Sequence, residues 1–197
     1  FYTTLAIWVG AIILIAVFNP TVKHKKEIGN VTFSQEFFGR AFTFMSFGFI
    51  QSLIICLGDL YFLKIQCYNP GLFMLSGCFA SLVFSLFMYS LVAAFGDIGK
   101  AVAVIMLVVQ LGGSGGTFPI DVTPAFFRAI HPYLPFTFVI NAMRECVCGT
   151  WESDYWMDLV KLCAYIIIAL VIGLFFRFLF KKPVKFFNKK IEETDLL

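Results

Sequence analysis

Five stretches of this chain, about 2–19, 41–63, 71–95, 101–118 and 157–180, stay apolar for about as long as a helix needs to cross a lipid bilayer. A hydrocarbon core about 30 Å thick takes roughly 20 residues at 1.5 Å per residue. In lipid the backbone has no water to bond with, so a run of this kind forms a helix or it does not cross. Sixty per cent of the 197 residues are apolar, 26 are Phe and 14% are charged, a balance foreign to a water-soluble domain of this length. The expected class is therefore an all-α integral membrane protein with about five transmembrane helices. The fourth stretch is the shortest and frays into a glycine cluster.

The chain starts Phe1-Tyr2-Thr3-Thr4 and enters the first apolar run at once, which reads as the C-terminal part of something longer. That run has no basic lead and no small-residue cleavage site, unlike a signal peptide.

Lys and Arg are retained on the cytoplasmic side of a membrane protein, and here they are unevenly placed. One set of loops holds Lys23, Lys25, Lys26, Arg40, Lys100, Arg177, Lys181, Lys182, Lys185, Lys189 and Lys190; the opposite set holds only Lys64, Arg128, Arg144 and Lys161. The first residue is thus expected outside and the last in the cytoplasm, with Trp151, Tyr155 and Trp156 in the outer aromatic belt. The net charge of +3 comes from these flanks. It reflects topology and anionic headgroups and points to no nucleic-acid partner.

Between the first two runs, Thr32-Phe33-Ser34-Gln35 fits a capping box, and Phe37, Phe38, Ala41 and Phe42 follow at helical spacing. A short interfacial cytoplasmic helix is expected over 32–40. It serves either to guide the chain into the second span or, through Gln35, Glu36 and Arg40, to dock a cytoplasmic partner. Within the spans, Gly48, Ser52 and Cys56 recur every fourth residue, as do Gly77, Ser81 and Ser85, so these faces are expected to pack on protein. The intramembrane polar residues are Gln51, Asp59 and Gln110. Asp59 lies near the outer end of its span, where water or Lys64 would satisfy it, and no chain of acids suited to proton transport accompanies it.

The run 111–145, LGGSGGTFPIDVTPAFFRAIHPYLPFTFVINAMRE, breaks the membrane pattern. Gly112 and Gly116 form a G-x-x-x-G pair around Gly113 and Gly115, and Pro119 stops any helix. Thr123-Pro124 opens a short helix to 130, His131-Pro132 breaks it, and Pro135 opens another to about Cys148, where Gly149 ends it. Irregular backbone at membrane depth is tolerated only where protein buries it or it lines a wet cavity, so a pair of half-helices re-entering from the outer face is expected. The glycines are no phosphate loop, since no Lys-Ser or Lys-Thr follows. Neither Ser/His/Asp nor Cys/His grouping stands out around His131, Arg144 and Glu145, and no His partner sits at metal spacing from a Cys. No enzyme activity, cofactor or metal is expected. Cys56, Cys78 and Cys163 fall within spans, where they pack as small apolar groups; Cys67, Cys146 and Cys148 fall outside, where a disulfide is conceivable but its pairing is open.

This outer run, with Trp8-Val9-Gly10-Ala11, Gly58-Asp59-Leu60 and Phe95-Gly96-Asp97, resembles the ABC-2 type membrane domain, and most of all the C-terminal membrane region of the phage infection protein (YhgE/Pip) family. The likeness covers essentially the whole chain, 1–197, as one domain. It implies a six-helix permease whose first helix and a large extracellular region precede these five. It also implies a homodimer in the lipid bilayer that exports polymers, lipids or drugs. A separate nucleotide-binding subunit or a secretion-system partner would dock at the loop 19–40, since the chain carries no Walker motif. Gly112, Gly113, Gly115, Gly116, Pro119, Pro124, His131, Pro132, Pro135, Asn141, Arg144 and Glu145 would form the outer signature and gate. The contrasting expectation is an anchor and dimerisation platform for an ectodomain that acts as a surface receptor, including for phage.

Overall fold

In the computed structural model, which describes residues 1–18, 32–149 and 152–177, the regular elements are all helical. They are α1 (Tyr2–Val17), α2 (Phe33–Leu57), α3 (Pro70–Phe95), α4 (Asp97–Gly113), α5 (Ala125–Ile130), α6 (Pro135–Cys148) and α7 (Glu152–Leu170). α2 and α7 run on into π-helical turns, Gly58–Phe62 and Val171–Phe176. Lys23, Lys25, Lys26, Trp151 and the lysines at 181–190 lie outside the described residues.

Among the described residues three stretches are long and apolar enough to cross a membrane: Ser34–Phe62, Pro70–Phe95 and Ser153–Phe176. Tyr2–Val17 is a shorter apolar helix. The expected fourth span is displaced, beginning at Asp97 and ending at Gly113 rather than running 101–118. Gly96 turns the chain with φ 62°, an angle that L side chains rarely adopt, and Asp97 then places a carboxylate at the positive end of the new helix. At 1.5 Å per residue the resulting α4 is roughly 25 Å long, shorter than a bilayer core.

The expected interfacial helix is not a separate element. The capping box forms at Thr32, whose N–H donates to Gln35 Oε1 at 3.0 Å, but the helix it starts runs unbroken through the second span to Leu57. No proline interrupts it, and Gly39 alone is too mild a breaker to end a helix that packing holds on one side.

α3 is the centre of the bundle. Of its apolar stretch 72% is buried, against 28% in α2 and 22% in α7, whose outer faces are left for lipid. The small-residue stripes explain how α2 comes so close to it. A Cβ built on Gly48 would sit 2.1 Å from Ser85 Oγ, and one on Gly77 would sit 2.3 Å from Cys56 Sγ. The two stripes expected to face protein therefore face each other, glycine against side chain at both levels. On the other flank α1 inserts Trp8, fully buried, with its ring 4.8 Å from Phe84 of α3 and 5.3 Å from Phe136 of α6. Gln51 lies over Gly10 of α1, where a Cβ would come within 1.3 Å of its Nε2. Glu36 bonds to Arg177 at 3.1 Å, tying the start of α2 to the end of α7.

Candidate functional site

The irregular stretch between α4 and α7 is built as its turn residues require. α4 stops at Gly113, Gly115 takes φ 67°, and Pro119 leads into a 3-10 turn, Ile120–Val122. α5 follows Pro124, and a second 3-10 turn, His131–Tyr133, carries Pro132. α6 starts at Pro135 and ends at Gly149, whose φ of 115° closes the helix. Both short helices stand within a residue of the bounds expected from proline and glycine placement.

Four polar side chains hold this stretch together and to the end of α4. Gln110, fully buried near the end of α4, accepts at Oε1 from the N–H of Phe136 at 3.2 Å. A side chain of another helix thereby caps α6, whose own N-cap position is Leu134 and supplies no acceptor. His131 Nδ1 is 2.7 Å from the Gly113 carbonyl, while Thr137 Oγ1 donates to the His131 carbonyl at 2.8 Å. Arg144 Nη2 donates to the Gly115 carbonyl at 2.7 Å across 29 residues of chain. His131 is thus a strut of the turn.

The glycines act one by one. Gly112 and Gly116 form no helix-packing face, because Gly116 lies beyond the end of α4 and its direction has turned. A Cβ on Gly112 would meet the Phe127 ring at 2.8 Å, and one on Gly116 would meet the Phe1 ring at 2.0 Å. Each leaves room for an aromatic ring, and Gly113 leaves room for Leu134.

Two open clefts meet at Arg144. One, of about 400 Å³, is lined by the glycine turn with Asp121, His131, Asn141 and Arg144. The other, of about 440 Å³, is lined by Asn141, Arg144, Glu145, Asp154, Asp158 and Lys161. Lys161 pairs with Asp158 at 3.3 Å. Glu145 is held above the usual carboxylate range, first by its burial and then by the charges of Asp154 and Asp158. Its neighbours do not converge on a metal: among the described residues no three His, Cys, Asp or Glu side chains group to hold one.

The other singled-out residues are accounted for nearby or elsewhere. Asp59, in the π turn of α2, accepts from Thr3 Oγ1 at 2.5 Å, so its partner is α1 and neither water nor Lys64 is needed. Gln51 is half-buried against Gly10, and Gln35 and Glu36 are engaged in the cap and the Arg177 pair described above. Tyr155 does not join the aromatic belt: it is fully buried, accepts from Ser76 Oγ at 2.9 Å and donates to the Leu72 carbonyl at 3.0 Å. Trp156 beside it is exposed. Neither the Ser76 to Tyr155 link nor the capping by Gln110 is marked in the sequence, because both join residues whose separation carries no period.

A profile of the ABC-2 family transporter proteins matches residues 1–175. The chain belongs to the ABC-2 transporter family. It is 34% identical over 175 residues to "Uncharacterized protein YhgE" of Bacillus subtilis (strain 168), a match covering 87% of this chain and 22% of that relative. The resemblance drawn from the outer run is therefore correct: this is a YhgE/Pip-type ABC-2 membrane domain. No solved structure matches it. ABC-2 membrane domains sit in the lipid bilayer and generally work with a separate ATPase subunit. The apolar helices agree with that location.

Proposed function

We propose that this ABC-2 domain is the membrane part of an exporting permease, driven by a separate ATPase, whose stretch 112–145 forms the outer gate. It performs no covalent chemistry of its own and needs no cofactor. In this reading α1 and α4 join the three long helices to make five passes, with residue 1 outside and the C-terminus in the cytoplasm. α5 and α6 re-enter from the outer face, and two copies assemble in the membrane.

The observation that carries the proposal is the way the outer stretch is held. α6 buries Phe136, Ile140 and Met143 in the bundle and is capped by the buried Gln110, yet the turn before it is tied by single polar bonds from His131 and Arg144 beside the open clefts that these two residues line. Such bonds can be exchanged for bonds to a passing polar group at little net cost, whereas a packed apolar seam cannot. A bare anchor or receptor platform has no use for the clefts.

Export assays on vesicles carrying the full-length protein test this. Co-purification of a nucleotide-binding subunit and ATP-dependent efflux are expected; a protein isolated without one, and indifferent to ATP, would be an anchor. Arg144→Ala is expected to cut efflux by about tenfold, equivalent to about 1.4 kcal/mol, the scale of one charge-assisted hydrogen bond. Unchanged efflux would remove the cleft from the path. A Cys at Asp121 should react with an impermeant reagent from outside and one at Lys185 should not, and reversed labelling would invert the topology.

A further inference from the structure

Two cysteines far apart in sequence meet at the end of the bundle that carries the outer stretch. Cys67 lies in the link between the π turn of α2 and α3, and Cys146 lies in the last turn of α6. The Cys67 thiol donates to the Cys146 carbonyl at 3.2 Å, and the N–H of Asn69 donates to the same oxygen at 3.0 Å. The link is thus clamped on both sides of residue 68 to the peptide unit of Cys146 itself. A carbonyl oxygen is held roughly 2.4 Å from its own Cα by the peptide bond lengths, so Cys67 Sγ lies within roughly 5.6 Å of the Cys146 Cα. A disulfide asks for Cα atoms about 4.4–6.8 Å apart, and a sulfur already this near the Cα of the second cysteine leaves side-chain rotation with a small movement of the link to close the bond.

The surroundings favour this pair over the others. Cys146 is fully buried with its Sγ 4.0 Å from Ser76 Oγ, and Cys67 is half-buried. Cys148, two residues on, is exposed, and residues two apart on a helix point to nearly opposite sides. Cys56, Cys78 and Cys163 belong to membrane-crossing helices.

We propose that Cys67 and Cys146 form a disulfide that staples the link between α2 and α3 to α6 and so fixes the inner half of the outer gate. The proposal rests on the outward placement of this end, where thiols are exposed to oxidising conditions. The oxidant is an extracytoplasmic disulfide donor. The more accessible thiolate of Cys67 attacks one sulfur of the donor and expels its first thiol. Cys146 thiolate then attacks Cys67 Sγ and expels the second. Two protein thiols and one donor disulfide become one protein disulfide and two donor thiols, with the electron pair passing to the donor. Burial pushes the Cys67 thiol up and the Cys146 thiol up to about 11, so few thiolates exist at neutral pH and the exchange is slow without such a donor.

Peptide mapping of the full-length protein tests the staple, with cells quenched in acid and free thiols alkylated before digestion. A peptide joining 67 to 146 is expected from cells, and again when the reduced, purified protein is treated with oxidised glutathione. Cys67→Ser should leave Cys146 alkylated, and Cys148→Ser should leave the bridge intact. A bridge formed by glutathione but never present in cells would overturn the native staple and place this end on the reducing side. Alkylation of both thiols under both conditions, or a bridge through Cys148, would overturn the geometry.

Discussion

The contact of α2 with α3 and the attachment of the stretch between α4 and α7 are two ways of holding helices together where no hydrophobic force acts between them. In the first, Gly48 and Gly77 give up their side chains so that Ser85 and Cys56 can enter, and contact extends over the length of both helices. In the second, Gln110, His131 and Arg144 each make one bond to a backbone group, the first in the buried core and the other two beside open clefts. The first arrangement fails as a whole or not at all. The second can release one tie at a time, as the proposed gate requires.

The comparison is broken most forcefully at Gly48. Leucine there must displace Ser85 or the α3 backbone behind it, at a cost of about 3 kcal/mol or more by analogy with overpacked cores. The expected result is loss of a monodisperse folded species in detergent, and normal folding would show that the two helices are not in register as described. Gln110→Leu comes next. It leaves the buried N–H of Phe136 without an acceptor, costing about 1–3 kcal/mol. Hydrogen exchange should quicken over the first turns of α6 while α3 stays protected; equal loosening of both would merge the two regions into one unit.

The smallest effect is expected at Glu145. Its carboxyl is raised in the folded chain, so the folded state holds a proton that the unfolded state has already released. This contribution is present in full below the unfolded value and is lost as pH rises through the folded one. Glu145→Gln should therefore flatten the decline in melting temperature with rising pH in that window. An unchanged slope would mean that the cleft around Asp154 and Asp158 does not burden this carboxylate.

Much of this was legible in the sequence because local chemistry decided it. Proline and glycine set the limits of α5 and α6, and a four-residue period in small side chains marked the facing sides of α2 and α3. What stayed hidden depended on contacts between distant segments. Asp59 gives no sign that Thr3 will partner it, and the capping box at Thr32 marks where a helix begins but not how far it runs. The displaced fourth helix is an intermediate case. Its N-terminus follows from Gly96-Asp97, but the cluster from Gly112 to Gly116 does not show which of its residues ends the helix, and the positive φ comes only at Gly115. The outer site was legible as a set of residues. Its assembly around Gln110 and Arg144 was not, since hydrogen bonds spanning 26 and 29 residues leave no period to read.

Gln51 occupies the space that Gly10 leaves empty. The glycine thereby gives a long polar side chain a seat against protein at membrane depth. A methyl group at position 10 takes that seat and turns the half-buried amide of Gln51 aside, while a short residue at position 51 leaves Gly10 undisturbed. The dependence runs in one direction: the amide relies on the glycine for its place in the bundle, and the glycine does not rely on the amide.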